Sequence, residues 1–221
     1  MSRRIDLSAL PAGDEARLAA ALAAASRACF PTDTVYGLGG RLAPVVGDAI
    51  ARVKGRAVHQ PLQVVFPTVE LLVATVGLPP AVAEAVRRLL PGPYTLVVPY
   101  PEGFAGPPPG LAEWPDGGAI ASLGVRVPAW PTPARALAAL PFPLLASSAN
   151  LSGGADPASL DAVAPAVRDS CDLLLDGGPV SGVSSSVLDL TRYGEDRRWR
   201  VLRRGAVTPD DIASRLTGPE G

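Results

Sequence analysis

Helical and strand-like segments alternate along almost the whole chain, and this alternation limits the folds that the sequence can adopt. The alanine- and leucine-rich stretch at 13–28 predicts a helix, and residues 29–31 predict a short buried strand that ends at a proline. No internal repeat interrupts the pattern. Alternation of this kind indicates an α/β domain in which helices cover a sheet.

The other segments extend the same pattern. We expect Asp156 to cap a helix that starts at Pro157, and Thr208 to cap the last helix. Further helices are predicted at 46–53, 79–90, 132–140, 156–169 and 208–216. Further strands are predicted at 62–67, 94–100, 119–128, 142–149, 171–176, 184–191 and 198–203.

The order of the segments also predicts the organisation of the chain. Late strands without intervening helices indicate a mixed parallel and antiparallel sheet. Residues 101–118 are rich in proline and glycine and predict a long loop, which in a compact domain is usually functional. Since no linker breaks the pattern, we expect a single domain over 1–221, with a core at about 15–207 and a C-terminal helix at about 208–217.

Composition excludes some classes of function. The chain is 48% hydrophobic and 19% charged, which suits a large core, and its formal net charge is −1. A nearly neutral chain with scattered arginines argues against a broad nucleic-acid-binding face, which needs clustered basic residues. A small basic cavity for an anionic metabolite stays compatible with this charge.

The cysteines and the termini give further expectations. Cys29 and Cys171 lie far apart in apolar surroundings and are expected to be reduced core residues. With one histidine and no cysteine pair at ligand spacing, a zinc site is not expected. No signal-peptide core or apolar run of membrane-spanning length occurs in the sequence, so we expect a cytoplasmic protein without membrane contact.

The segments that carry chemistry follow predicted strands, where ligands of open α/β sheets gather. They are the loops at 31–40, 54–62, 147–154 and 177–186, together with Arg126 and Arg203. Glycine- and serine-rich turns bind anions through backbone N–H groups, and arginine forms bidentate hydrogen bonds to carboxylate or phosphate. Lys54 is the single lysine beside 19 arginines, and its compact ammonium suits a position among phosphate oxygens.

Each of these features also has a purely structural interpretation. Thr32 and Thr34 could cap a following helix, Ser148 and Asn150 could satisfy local backbone groups, and Arg126 could be structural. The phosphate-loop, dinucleotide-binding and serine-hydrolase motifs do not occur. The combination of all these loops near strand ends favours nucleotide and carboxylate binding.

Seven stretches, taken in order, resemble the YrdC-like family of threonylcarbamoyl-AMP synthases. They are FPTDTVYGLGG, AIARVKGRAVHQPL, PGPYTLVVP, GVRVPAWP, SSANLSGG, SSSVLDL and VLRRGAV, which together span roughly 15–207. The resemblance implies a twisted mixed sheet with flanking helices around a concave basic cavity. It also implies that L-threonine, bicarbonate or CO2, and ATP are converted to threonylcarbamoyl-AMP and pyrophosphate for tRNA modification.

The resemblance further implies roles for individual residues. The catalytic set is Lys54, Arg56, Ser148 and Asn150. The ATP side comprises Lys54, Arg56, Gln60, Ser122, Asn150 and Arg203. The threonine side comprises Thr32, Thr34, Arg126, Ser148 and Ser185, with Arg126 expected to bind the threonine carboxylate. Mg²⁺ is expected to be bound by the ATP phosphates rather than by protein side chains, and a separate tRNA threonylcarbamoyl-transferase machinery is the expected downstream partner.

The sequence also departs from the family pattern. Ala57 stands where proline is usual, and Ser184 stands where a glutamate is frequent. His59 is expected to be a solvent-exposed loop residue. Two other functions stay open: a paralogue that forms another carbamoyl adenylate, and an RNA-binding module whose RNA affinity would fall steeply with salt.

Overall fold

The computed structural model describes residues 2–55 and 62–218. Within them, helices and strands alternate as the sequence predicts. The strands are β1 (Arg3–Asp6), β2 (Ala28–Phe30), β3 (Gly37–Arg41), β4 (Gln63–Val65), β5 (Tyr94–Pro99), β6 (Gly110–Glu113), β7 (Ala119–Arg126), β8 (Leu144–Ser148), β9 (Leu173–Asp176), β10 (Ser186–Asp189) and β11 (Arg200–Arg203). The α-helices are α1 (Glu15–Ala24), α2 (Pro44–Lys54), α3 (Val69–Val76), α4 (Pro80–Leu89), α5 (Pro165–Ser170), α6 (Tyr193–Asp196) and α7 (Pro209–Thr217).

All the strands of the described ranges join one mixed sheet. Its order is β1-β9-β2-β3-β8-β4-β7-β5-β10-β11, and β6 adds to β7. The pairs β1–β9, β2–β9, β4–β7 and β5–β10 are parallel, and the other pairs are antiparallel. The predicted α/β fold with a mixed sheet and flanking helices is therefore confirmed.

Apolar residues fill both faces of the sheet because neighbouring residues of a strand point to opposite faces. In β8, Leu145 packs into the larger core beneath α2 to α5 and α7, whereas Leu144 and Ala146 pack into a smaller core. Leu18 and Leu22 of α1 close the smaller core. The helices of the larger core thus cover one face, and α1 with the 3-10 helix at Thr132–Ala139 covers only part of the other.

Two of the predicted helices are wrong in part. Helix 156–169 is not continuous: only α5 is helical, and the pattern breaks at Ala164, which Pro165 keeps out of the α-helical region. The carbonyl of Pro157 instead accepts a hydrogen bond from Tyr36, and Asp156 caps no helix. The segment predicted as a helix at 132–140 is a 3-10 helix over Thr132–Ala139. The cap of Thr208 on α7 is confirmed.

The predicted loop at 101–118 contains a strand, and a tryptophan fixes the hairpin that this strand makes with β7. Trp114 follows β6, and its indole Nε1 donates to Thr191 Oγ1 at 2.9 Å. The guanidinium groups of Arg192, Arg198 and Arg200 lie 5.0, 5.4 and 4.4 Å from its ring centroids. These cation–π contacts hold the hairpin against the last strands.

Strands β1 and β3 and helices α3 and α6 were not predicted.

In the described residues, no helix has the length and apolarity needed to cross a bilayer. Both cysteines are free and buried, as predicted. Burial raises the pKa of Cys171 to about 11 and raises that of Cys29 still further. The reactive species of a cysteine is the thiolate.

We predict that neither Cys29 nor Cys171 reacts with Ellman's reagent at pH 8 while the protein is folded, since both thiols are buried and protonated. Both thiols should react within minutes in guanidinium chloride, which serves as the control. Rapid release of one equivalent from the folded protein would contradict this placement.

A glycine in β3 allows the central strands to approach closely. A methyl group on Gly39 would overlap the carbonyl oxygen of Leu145 on β8. We predict that Gly39→Ala lowers the free energy of unfolding by about 1–3 kcal/mol or more, the usual cost of overpacking. Gly47→Ala in α2, where an added methyl makes ordinary contacts, is the matched control and should stabilise by about 0.5–1 kcal/mol. Urea unfolding of both variants measures the difference.

Candidate active site

A cavity of about 390 Å³ lies on the face of the sheet that α1 leaves uncovered. It is formed by residues that alternate along neighbouring strands, such as Thr95 and Val97 of β5 and Ser122, Gly124 and Arg126 of β7. The intervening residues of these strands enter the larger core. Its hydroxyl groups come from Thr32, Thr95, Ser122, Ser147, Ser148, Ser184 and Ser185.

Lys54 connects the end of α2 to the turn after β8. The helix ends at Gly55, which adopts a left-handed conformation. The Lys54 ammonium is buried, and its Nζ donates to the Ser148 carbonyl at 2.6 Å, Ser147 Oγ at 3.0 Å and Asn150 Oδ1 at 3.1 Å. The structure therefore brings Lys54, Ser148 and Asn150 together, as the sequence predicts.

The turn at 147–154 is itself held by hydrogen bonds. Ser148 Oγ donates to Asn150 Oδ1 at 2.7 Å, and Asn150 Nδ2 donates to the Gly154 carbonyl at 2.6 Å. The amide oxygen of Asn150 thus accepts from both Ser148 and Lys54. These contacts fix the Asn150 amide two residues after Ser148, which lines the cavity.

The threonines of the loop between β2 and β3 build a local turn rather than a helix cap. Thr32 Oγ1 donates to the Val35 carbonyl at 2.7 Å and lies 3.1 Å from Thr34 Oγ1. Strand β3 follows this loop, so the helix-capping interpretation of Thr32 and Thr34 is wrong. Both side chains are buried, and Thr32 lines the cavity.

Arg126 is buried at the end of β7 and is paired with a carboxylate that the sequence analysis missed. Its Nη2 donates to Asp33 Oδ1 at 2.5 Å and to Thr34 Oγ1 at 2.6 Å. Burial lowers the pKa of the guanidinium, and the charge of Asp33 opposes that shift. Within the described residues, Arg126 Nε has no hydrogen-bond partner although it is buried. A buried arginine needs a counter-ion. This rule could have indicated from the sequence that a carboxylate lies beside Arg126.

Arg203 belongs to a chain of polar contacts on the opposite wall. Its Nη2 donates to the Ser185 carbonyl at 3.0 Å and to Ser185 Oγ at 3.2 Å. Ser185 Oγ lies 2.8 Å from Thr95 Oγ1, which donates to Gln63 Oε1 at 2.9 Å. Thr95 and Gln63 were not predicted. Ser122 is buried and lines the same cavity.

Asp156 also lines the cavity, although the sequence analysis assigned it to a helix cap. It is half-buried, and within the described residues its carboxylate has no hydrogen-bond or ion-pair partner. The described lining therefore carries two guanidinium groups and one carboxylate. Arg56, Ala57, His59 and Gln60 lie outside the described residues, so the predicted basic character of the cavity stays a prediction.

Comparison with known proteins assigns the family. Residues 21–205 match the Sua5/YciO/YrdC family model, which carries the description "Telomere recombination". The chain belongs to the Sua5/YciO/YrdC family. This membership confirms the resemblance on which the site residues were chosen.

Individual members of the Sua5/YciO/YrdC family give the same result. The chain is 32% identical over 188 residues to the threonylcarbamoyl-AMP synthase of Pyrococcus abyssi, a match that covers 83% of this chain and 51% of that protein. It is 32% identical over 180 residues to the threonylcarbamoyl-AMP synthase of Xanthomonas euvesicatoria, which covers 79% of this chain and 88% of that protein. The chain thus spans about half the length of the Pyrococcus protein.

A solved structure of a Sua5/YciO/YrdC protein shares the fold. The crystal structure of P. abyssi Sua5 complexed with L-threonine aligns with a TM-score of 0.73 at 28% identity. The alignment covers 99% of this chain and 60% of that one.

We predict that Asp33→Asn lowers the free energy of unfolding by about 3–5 kcal/mol, because Arg126 is then buried without a counter-ion. The double variant Asp33→Asn/Arg126→Leu should recover part of this loss, since it also removes the buried charge. Urea unfolding followed by circular dichroism measures both.

The matched control for this prediction is Asp116→Asn, which removes a carboxylate paired with partly exposed arginines. It should cost no more than about 1 kcal/mol. Equal losses in Asp33→Asn and Asp116→Asn would contradict a special role for the buried pair.

Proposed function

We propose that this chain is a threonylcarbamoyl-AMP synthase, which makes threonylcarbamoyl-AMP and pyrophosphate from L-threonine, bicarbonate or CO2, and ATP. The observation that carries the proposal is one cavity lined by Arg126 and Arg203, each of which donates to a neighbouring hydroxyl group. Lys54 holds Ser148, which lines the same cavity. Family membership and the curated names of the relatives support the choice of reaction.

The proposed chemistry has two steps. Threonine and bicarbonate first form N-carboxy-threonine with loss of water and a proton. A carbamate oxygen then attacks the α-phosphorus of ATP, and the bond to pyrophosphate breaks. The second step gathers negative charge, so fixed positive groups around the phosphates lower its barrier.

The charged residues of the described site then have proposed roles. Arg126 binds the threonine carboxylate, and the Thr34 hydroxyl lies beside Arg126. The Ser185 hydroxyl lies beside Arg203. Arg203 contacts the phosphates or the nucleotide. Lys54, through its hold on Ser148 and Asn150, sets the position of that turn and adds positive charge at the cavity edge.

Mg²⁺ enters this proposal as part of the ATP substrate. The cation prefers oxygen ligands and commonly keeps phosphate and water in its shell. Within the described residues, no three His, Cys, Asp or Glu side chains are grouped for a metal ion. The donors near the cavity are hydroxyl oxygens and the Asp156 carboxylate, which suits a metal bound mainly through the ATP phosphates.

We also propose that a tRNA threonylcarbamoyl-transferase receives the product. The product, threonylcarbamoyl-AMP, is a reactive mixed anhydride. The acceptor that the proposed function implies is an amine of a tRNA.

We predict that purified protein releases pyrophosphate from MgATP only when both threonine and bicarbonate are present. Lys54→Ala should lower the rate about 100-fold or more, because it removes the buried charge and frees the Ser147–Asn150 turn. A coupled phosphate assay measures the rate, and circular dichroism verifies folding.

Arg52→Ala, at an exposed position two residues before Lys54 on α2, is the control and should keep the wild-type rate. Pyrophosphate release that is independent of threonine would contradict the proposed substrate. ATP binding without any release would exclude the adenylation step.

A further inference from the structure

Two charged side chains of the cavity, of opposite sign, keep hydrogen-bonding atoms that no described residue uses. Arg126 is buried and its Nε has no partner in the described residues. Asp156 lines the same cavity, and its carboxylate has no partner there either. Arg203, by contrast, donates to Ser185. An unused guanidinium N–H donor and an unpartnered carboxylate in one cavity match the carboxylate and the ammonium of a zwitterion.

The backbone around Asp156 fixes its side of the cavity. The carbonyl of Pro157 accepts from Tyr36, and the carbonyl of Ala158 accepts from Val180. The first bond ties the segment to the end of the loop that carries Thr34, whose hydroxyl accepts from Arg126, and the second ties it to the loop that carries Val180. Asp156 therefore belongs to the wall that also positions Arg126.

A free amino acid carries a carboxylate and an ammonium on the same carbon. An arginine fork is a strong partner for the carboxylate, and a carboxylate is a strong partner for the ammonium. A half-buried carboxylate without a protein partner is costly unless a ligand or water satisfies it. The cavity offers both partners of an α-amino acid.

We propose that Asp156 binds the α-ammonium of the amino-acid substrate and so determines specificity for an amine-bearing ligand. The inference rests on the proposed function, since threonine is the amino acid taken as substrate. Charge-assisted hydrogen bonds to such a group typically change affinity about 10- to 100-fold.

The test compares ligands with and without the amine. Threonine and 3-hydroxybutyrate share the carboxylate and the hydroxyl group, and only threonine has the ammonium. Isothermal titration measures the Kd of each, and that of MgATP, for wild-type protein, Asp156→Asn and Asp169→Asn. Asp169 is an exposed carboxylate on α5 that makes no side-chain hydrogen bond or ion pair with the residues that the structure describes, so its variant controls for net charge.

We expect Asp156→Asn to weaken threonine binding about 10- to 100-fold while leaving 3-hydroxybutyrate and MgATP unchanged. Asp169→Asn should bind all three ligands as the wild type does. Asp156→Glu should keep part of the affinity for threonine, because it retains the charge. Circular dichroism verifies that each variant is folded.

The other outcomes separate this inference from the proposed function. Unchanged threonine affinity in Asp156→Asn, with threonine-dependent pyrophosphate release intact, overturns the inference alone. Weaker MgATP binding with unchanged threonine binding also overturns it and assigns Asp156 to the metal–phosphate end. A wild-type protein that binds no threonine overturns the proposed function and this inference together.

Discussion

The structure depends on the alternation of side chains along its central strands. Because neighbouring residues of a strand point to opposite faces, each of these strands contributes to the larger core and to the cavity at once. In β7, Leu123 and Val125 are buried in the core, and Ser122, Gly124 and Arg126 line the cavity. A shift of register by one residue would exchange the two sets. Core and cavity are thus specified by the same pairing.

Each described cation at this site is positioned by a different kind of partner. Neutral oxygens of Ser147, Ser148 and Asn150 around Lys54 hold the end of α2 to the turn after β8. Asp33 neutralises Arg126, which could not otherwise be buried at low cost. Arg203 is exposed and donates to Ser185. The groups are therefore in place before any ligand binds, which lowers the cost of ordering them.

Local patterns predicted much of this fold, and tertiary contacts decided the rest. The strand at β7 and the cap of Thr208 were predicted because periodicity and capping are local properties. The prediction of a continuous helix at 156–169 was wrong because it followed the apolar pattern and gave too little weight to Pro165. A proline restricts the backbone of the residue before it, here Ala164. Asp33 and Asp156 were missed because a counter-ion or a cavity-lining carboxylate is defined by neighbours distant in sequence.

The strand order also determines when the sheet can be completed. Among the described strands, consecutive partners occur only in β2–β3, β6–β7 and β10–β11, and these can pair early. Strand β8 lies between β3 and β4, so it joins two parts of the sheet that are otherwise separate. During synthesis, β3 and β4 can therefore be joined only after residues 144–148 have been made. Until then both expose unpaired backbone edges, on which a second nascent chain can pair.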